Sequence, residues 1–215
     1  MPVWITNEET LRLTENAVNS LGLHTLIIID NGSTYGVDKL HEWSPFFHLT
    51  NKENLGYAKA VNQGLKLVKH KEIVGVANND IIVSPLFEKV VNEILKDKEV
   101  GSVHLRMIPY NEDFSFGNEV WKEGKERWCS SSFFVMRNVQ TFDENFLNSY
   151  DDYDFWLRFR EKGYKTVYTN RACYKHLDSW TQQKIPDRAE NDKRNYQYFW
   201  EKHGEYPDQQ FANLF

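Results

Sequence analysis

Ile73-Val74-Gly75-Val76-Ala77-Asn78-Asn79-Asp80 is a short apolar run that stops at a carboxylate. Leu26-Ile27-Ile28-Ile29-Asp30 repeats the pattern. Short β-branched runs bounded by turn residues read as buried strands. Each delivers an acid to its carboxyl end, which is where open α/β sheets bind ligands. A third acidic station, Tyr150-Asp151-Asp152-Tyr153-Asp154, opens a segment of helical character. Carboxylates collected from three distant segments suggest metal-assisted transfer on a polyanionic substrate.

Outward from these runs, strands and helices alternate. Val3–Thr6 reads as a first strand and Glu9–Leu21 as a helix, with Leu13, Ala17, Val18 and Leu21 on one face and Gly22 just past its end. Thr25–Ile29 is a strand and Asn31-Gly32-Ser33 a turn. A short helix over Val37–Trp43 and a strand over Phe46–Leu49 follow. In Asn54–Leu65, Ala58, Val61 and Leu65 share a helix face with Val68. After the strands Ile73–Ala77 and Ile81–Val83, Ser84-Pro85 starts a helix, because proline suits the first turn. Val100–Leu105 is a strand, 109–127 a polar irregular loop, and Ser131–Met136 a strand. Asp154–Lys162 is a helix stopped by Gly163, residues 164–177 hold two short strand-like pieces, and 187–203 is helical. The order indicates an α/β fold, largely parallel in its first half and less regular in its second.

The chain's 215 residues suffice for one domain with a proper core. Hydrophobic residues make up 40% and charged residues 27%, which is ordinary globular composition. Aromatic residues reach 15%, enough to line a sugar or base pocket as well as a core. The net charge of −5 argues against non-specific binding to nucleic acid or anionic lipid, although Lys184, Arg188, Lys193 and Arg194 make the C-terminal region locally basic. The two cysteines, Cys129 and Cys173, have no metal-ligand spacing. Met1-Pro2-Val3-Trp4 does not resemble a secretion signal, and no apolar stretch approaches the ~18 residues of a membrane span. The expected location is cytoplasmic, with peripheral membrane attachment open.

Each acidic station also has a plain structural use. Asn78-Asn79-Asp80 suits an ion that shares its ligands with a diphosphate, but Asn and Asp also favour a tight turn between two strands. Asp30 can accept a nucleobase N–H or ribose hydroxyls, or cap the turn at Asn31-Gly32. Gly56 lies at a loop-to-helix transition with Lys59 one turn in, an arrangement that suits phosphate oxygens, while Asn54 is positioned to cap the same helix. The Asp151, Asp152 and Asp154 acids favour a helix N-terminus through its dipole. One acid would suffice for that, and clustered carboxylates raise one another's pKa, as a general base requires. His176 alone reads as structural.

Together these segments resemble family 2 glycosyltransferases of the GT-A fold, particularly the rhamnosyltransferase-like branch. The matching stretches are Ile28–Ser33, Asn54–Gly64, Asn78-Asn79-Asp80, Phe142-Asp143-Glu144-Asn145-Phe146, Tyr150–Arg158 and the segment around His176, in the family's order and spacing. The resemblance implies a Rossmann-like nucleotide-binding half over about 1–105, with a mixed central sheet, and an acceptor half over 106–203. Residues 204–215 would form a tail. It assigns Thr6, Asn7, Asp30, Gly56, Lys59, Asn78 and Asn79 to the donor. Asp80 and His176 are assigned to a divalent cation, Mn²⁺ or Mg²⁺, and are therefore expected close in space. Asp152 matches the general base. The neighbouring acid, commonly Glu, is Asp151 here, so the choice between the two stays open. Asn78 stands where the family usually has an Asp.

The implied reaction is inverting transfer from a nucleotide-diphosphate sugar, UDP- or dTDP-linked, to an acceptor hydroxyl. A glycan, a lipid-linked sugar, a protein or a modified nucleobase could supply that hydroxyl. The short chain without membrane helices leads us to expect single transfers rather than processive synthesis. A sugar nucleotidyltransferase would carry a Gly-rich, Arg-containing loop after the first strand, and Thr6-Asn7-Glu8-Glu9 offers none. A non-catalytic carbohydrate- or nucleotide-binding protein on this fold would have lost Asp80, Asp152 or His176, and all three are present.

Overall fold

The computed structural model describes residues 1–22, 26–43, 48–118, 120–122, 131–147, 149–177 and 187–204. The first half of the chain is built on a three-stranded parallel sheet of β1 (Pro2–Val3), β2 (Ile28–Asp30) and β3 (His48–Thr50), in that spatial order. β1 is shorter than the sequence suggests. The chain nevertheless stays bound to the turn after β2 beyond it, since Ile5 O accepts from Thr34 N–H at 2.8 Å. Helix α1 (Glu8–Leu21) connects β1 to β2. Asn7 caps it: its Oδ1 accepts the Thr10 N–H at 2.9 Å while the Thr10 hydroxyl accepts the Asn7 N–H. Helices α2 (Val37–Trp43) and α3 (Tyr57–Val68) complete this half. α3 packs against β2, with Gly64 facing the Ile29 side chain.

The second sheet is mixed. β4 (Ile73–Ala77), β8 (Phe133–Arg137), β6 (Val100–Pro109), β9 (Lys165–His176) and β5 (Ile81–Val83) lie side by side, with β7 (Val120–Lys122) pairing on β9. β6 and β9 are parallel and the other pairs antiparallel. Helix α4 (Phe87–Ile94) begins later than Ser84-Pro85 suggests, after a turn over Pro85-Leu86. β9 is one strand rather than two short pieces. A register shift pairs Leu105 with Thr169 but Arg106 with Cys173, so three residues of β9 bulge out and pairing then resumes. That resumption carries β6 on to Pro109, beyond the Leu105 end read from sequence, and sets Pro109 beside His176. In the stretch expected to be irregular, 120–122 form β7, while 123–130 lie outside the described residues.

Helix α5 (Asp151–Glu161) starts three residues before the expected Asp154. Tyr150 takes a left-handed conformation, φ 62°, which turns the chain directly into the helix. The acids thus form the helix's own first turn, where its dipole favours negative charge. Helix α6 (Arg188–His203) closes the described chain and is ended by Gly204 in the left-handed region.

Apolar packing divides along the same lines. One cluster joins Val90, Val91 and Leu95 to Val83, Val103, Phe133 and Tyr174. Another joins Ala58, Val61 and Leu65 of α3 to Phe134, Phe142, Phe155, Trp156 and Phe159. In that cluster Phe142 stacks on Phe155 at 4.3 Å between ring centroids. Truncating Phe134, which is wholly buried, would cost ~3–5 kcal/mol. No helix among the described residues is long and apolar enough to cross a membrane.

Candidate active site

β4 ends at Ala77, opposite the first residue of β8, Phe133. This register sets the turn Asn78-Asn79-Asp80 against Ser131-Ser132. The Asn78 N–H donates to Ser132 O at 2.7 Å. The Asn79 amide donates to Thr14 Oγ1 at 2.9 Å, tying the turn to α1. On the other side β9 delivers His176 opposite Ile81, and the Leu177 N–H donates to Asp80 O at 3.3 Å.

Asp80 and His176, far apart in sequence, are brought together. His176 Nε2 stands 3.3 Å from Asp80 Oδ1, and both side chains are buried. The contact lacks hydrogen-bond alignment, so Asp80 Oδ1 has no hydrogen-bond partner among the described residues; nor does the buried Asn78 Oδ1. Buried oxygens left without donors are costly. His176 Nδ1 lies 3.4 Å from Ser132 Oγ. With the Nδ1 proton directed at that hydroxyl, Nε2 presents its lone pair to a carboxylate oxygen, a repulsion that a shared cation would relieve. A carboxylate oxygen beside an imidazole nitrogen would suit Mn²⁺ or Mg²⁺. Among the described residues no group of three or more His, Cys, Asp or Glu side chains forms a closed cage. A cation that completes its shell with water and diphosphate oxygens needs none.

The second station is the first turn of α5. Asp151 is buried and its Oδ2 lacks a partner among the described residues, whereas Asp152 is partly exposed. Burial pushes both carboxyls above the usual range. The negative charge of Asp151 adds to the rise at Asp152, and that of Asp154 adds to the rise at Asp151. Asp154 is wholly buried but compensated: Arg158 Nε lies at 2.8 Å, Lys202 Nζ at 2.6 Å and His203 Nε2 at 3.0 Å. Three neighbouring aspartates therefore divide, one locked in ion pairs and two held as reluctant anions.

Sequence reasoning missed the part that joins the stations. Tyr57, the first residue of α3, donates its hydroxyl to Ser131 O at 2.8 Å. Burial, then the charges of Asp151 and Asp152, raise its pKa well above the ordinary phenol value, so it remains a donor. Ser131 thus meets the acid station through Tyr57, and Ser132 meets Asn78 and His176. From sequence Tyr57 reads only as the start of an apolar helix face. Asn62 acts likewise out of sight: its amide both donates to Phe142 O at 2.9 Å and accepts the Phe142 N–H at 2.8 Å, fixing the second half onto α3.

The donor-side residues share less among themselves. Asp30 is buried at the end of β2 and one oxygen accepts the Ser33 N–H at 2.8 Å, so the turn-capping use is real. Gly32, at φ 84°, is required there, because a Cβ would meet the Glu53 backbone at 2.6 Å. Asn31 bonds to Asn54 and Asn51 and accepts the Leu55 N–H, welding this turn to the loop before α3. Asn54 does not cap α3; its Oδ1 accepts the Gly56 N–H at 2.9 Å, and Gly56 at φ 87° occupies the cap position. Lys59 is exposed one turn in. The Thr6 N–H donates to Thr10 Oγ1 at 3.0 Å, and the Asn7 side chain is committed to capping α1.

A parallel sheet in the first half followed by a mixed sheet, with acids at the strand ends and at the start of α5, fits the GT-A fold of glycosyltransferases. The family model for glycosyl transferase family 2 matches residues 1–162, and the chain belongs to that family. No curated protein matches it significantly by sequence. Among solved structures it is similar to TarS 1-349 of S. aureus, with a TM-score of 0.67 and 15% identity, over 99% of this chain and 69% of that one. It is also similar to the same TarS fragment in complex with UDP, with a TM-score of 0.62 and 15% identity, over 99% and 70% of the two chains. GalNAc-T7, crystallised with UDP, GalNAc and Mn²⁺, gives a TM-score of 0.64 and 13% identity, over 96% of this chain but 49% of that one.

Proposed function

We propose that the chain is a divalent-cation-dependent, inverting glycosyltransferase that takes a UDP- or dTDP-linked sugar and transfers it to an acceptor hydroxyl. The observation carrying this reading is the buried Asp80 Oδ1, which has no hydrogen-bond partner among the described residues and stands 3.3 Å from His176 Nε2, with a second partnerless buried oxygen, Asn78 Oδ1, in the same turn. UDP in the TarS complex, and UDP with Mn²⁺ in GalNAc-T7, support the donor class and the cation. When bound, the cation would neutralise charge developing on the departing diphosphate. Asp80, His176 and Asn78 would hold it.

The chain's own residues supply the rest. Asp152, the more exposed of the two reluctant anions, accepts the proton of the acceptor hydroxyl. Asp151 keeps it basic. The hydroxyl oxygen bonds to the anomeric carbon from the face opposite the diphosphate, the bond to the diphosphate oxygen breaks, and the configuration inverts. Asp30, acceptor-only when ionised, suits the N–H of uracil or thymine through the carboxylate capacity the Ser33 turn leaves over. A thermal-shift screen tests the reading. UDP-sugars or dTDP-sugars with Mn²⁺ should raise the melting temperature by mass action. No shift with any nucleotide-sugar, with or without Mn²⁺, would sink the proposal.

A further inference from the structure

The family match ends at residue 162, and α6 lies wholly beyond it. α6 nevertheless grips the segment that leads into the acid station. Asn195 is 0% exposed and spends its side chain on Leu147 and Ser149, four and two residues ahead of that turn. Its amide donates to Leu147 O at 3.0 Å, Ser149 O at 3.1 Å and Ser149 Oγ at 2.8 Å, and its Oδ1 accepts the Leu147 N–H at 3.3 Å. One asparagine thus pairs with Leu147 as a neighbouring strand would. It also fixes Ser149, the residue before the left-handed Tyr150. One helical end further on, Lys202 bridges Asp143 and Asp154 at 2.6 Å each. It thereby ties the segment's start to the helix it leads into.

A left-handed tyrosine is not a conformation the chain would choose alone, and it persists only where the surroundings over-determine it. The two grips supply that. We infer that α6 is a splint for the general base: Asn195 and Lys202 are positioning residues that fix where Asp151 and Asp152 point, without touching substrate themselves. This rests on the reading of Asp152 as the base. Residues 188–203 are then part of the catalytic apparatus rather than an appendage.

The test is a double-mutant cycle on the full chain. It measures UDP released from UDP-glucose or UDP-N-acetylglucosamine, with Mn²⁺ and water as acceptor. Asn195→Ala and Lys202→Met should each lower kcat by about 10²-fold, the scale of a ~1 Å misplacement, with the donor KM unchanged. Lys202→Arg should recover most of the Lys202→Met loss, since it restores the bridge. In an Asp152→Asn background either change should have almost no further effect on kcat, because groups acting as a unit are non-additive. Should Asn195→Ala fail to fold, Lys202→Met carries the same cycle. Losses that simply multiply with Asp152→Asn, or that appear in the donor KM instead of kcat, overturn the splint. So does wild-type turnover in both α6 variants alongside an inactive Asp152→Asn. Wild-type turnover in Asp152→Asn by itself is the separate signature that the base assignment has failed, and the splint falls with it.

Discussion

Asp80 and Asp152 are the same residue type in contrasting surroundings, which on the proposed reading suit them to opposite chemistry. Asp80 Oδ1 stands 3.3 Å from an imidazole nitrogen and has no hydrogen-bond partner among the described residues, an arrangement that suits a cation. Asp152 faces a like charge in a buried helix start, which suits a proton. The helix dipole favours ionised acids there, but burial outweighs it. Environment, more than residue identity, assigns the roles.

The largest expected effect separates the stations outright. Asp80→Ala should remove cation-stimulated turnover, a loss on the order of 10³-fold for the several kcal/mol a cation supplies. The fold should survive. Turnover that persists in excess EDTA would break the contrast at its first half.

Next comes Asp152→Asn, which keeps shape and removes the proton acceptor. Transfer should fall by roughly 10²–10⁴-fold with UDP affinity unchanged. Asp151→Asn should cost less and shift the pH profile. With one negative neighbour gone, Asp152 ionises more easily, so the acidic limb of kcat moves to lower pH. A limb that stays put would uncouple the two acids. If Asp151→Asn is the dead variant, the two roles exchange.

A smaller effect concerns stability. The folded state raises the pKa of Asp151 and Asp152, so it binds protons more tightly than the unfolded chain there. Their contribution is complete below the unfolded carboxylate pKa, ~3.9, and is lost as pH rises through the raised folded values. Asp143 has the opposite sign. Burial would raise it, but the Lys202 ammonium, the Asn145 N–H and the Tyr198 hydroxyl prevail and hold it at about 2. Its contribution is present above ~3.9 and fades as pH falls toward 2. Asp152→Asn should therefore raise the melting temperature at pH 8 and leave it unchanged near pH 3.5, by about 2–4 °C for each kcal/mol recovered. Equal shifts at both pH values would mean that the carboxylate is not strained.

Smallest is the donor base. Asp30 should favour UDP and dTDP over GDP and CDP, and calorimetry returning equal affinity for all four diphosphates would remove it from that role.

Much of this was legible because strand ends are local. β-branched runs that stop at Asp30 and Asp80 mark the strands and where they end, and β4 and β5 follow the residues read for them. The start of α5 was misplaced because the acids read as a station ahead of a helix. Only the left-handed Tyr150, a tertiary choice, reveals them as its first turn. The β9 bulge was hidden in the same way, since its cause lies in pairing with β6. Tyr57 and Asn195 carry no sequence signal at all. An aromatic at a helix start and a polar residue on an amphipathic helix look ordinary until their partners, Ser131 and Leu147, are known.

The central claim is that Asp80 and His176 share a cation with the donor diphosphate, and calorimetric titration of UDP tests it most directly. UDP would be titrated into the wild type and Asp80→Ala, each with and without Mn²⁺. The account predicts that Mn²⁺ tightens UDP binding in the wild type and has no effect in Asp80→Ala. Equal tightening in both proteins, or none in the wild type, would contradict it.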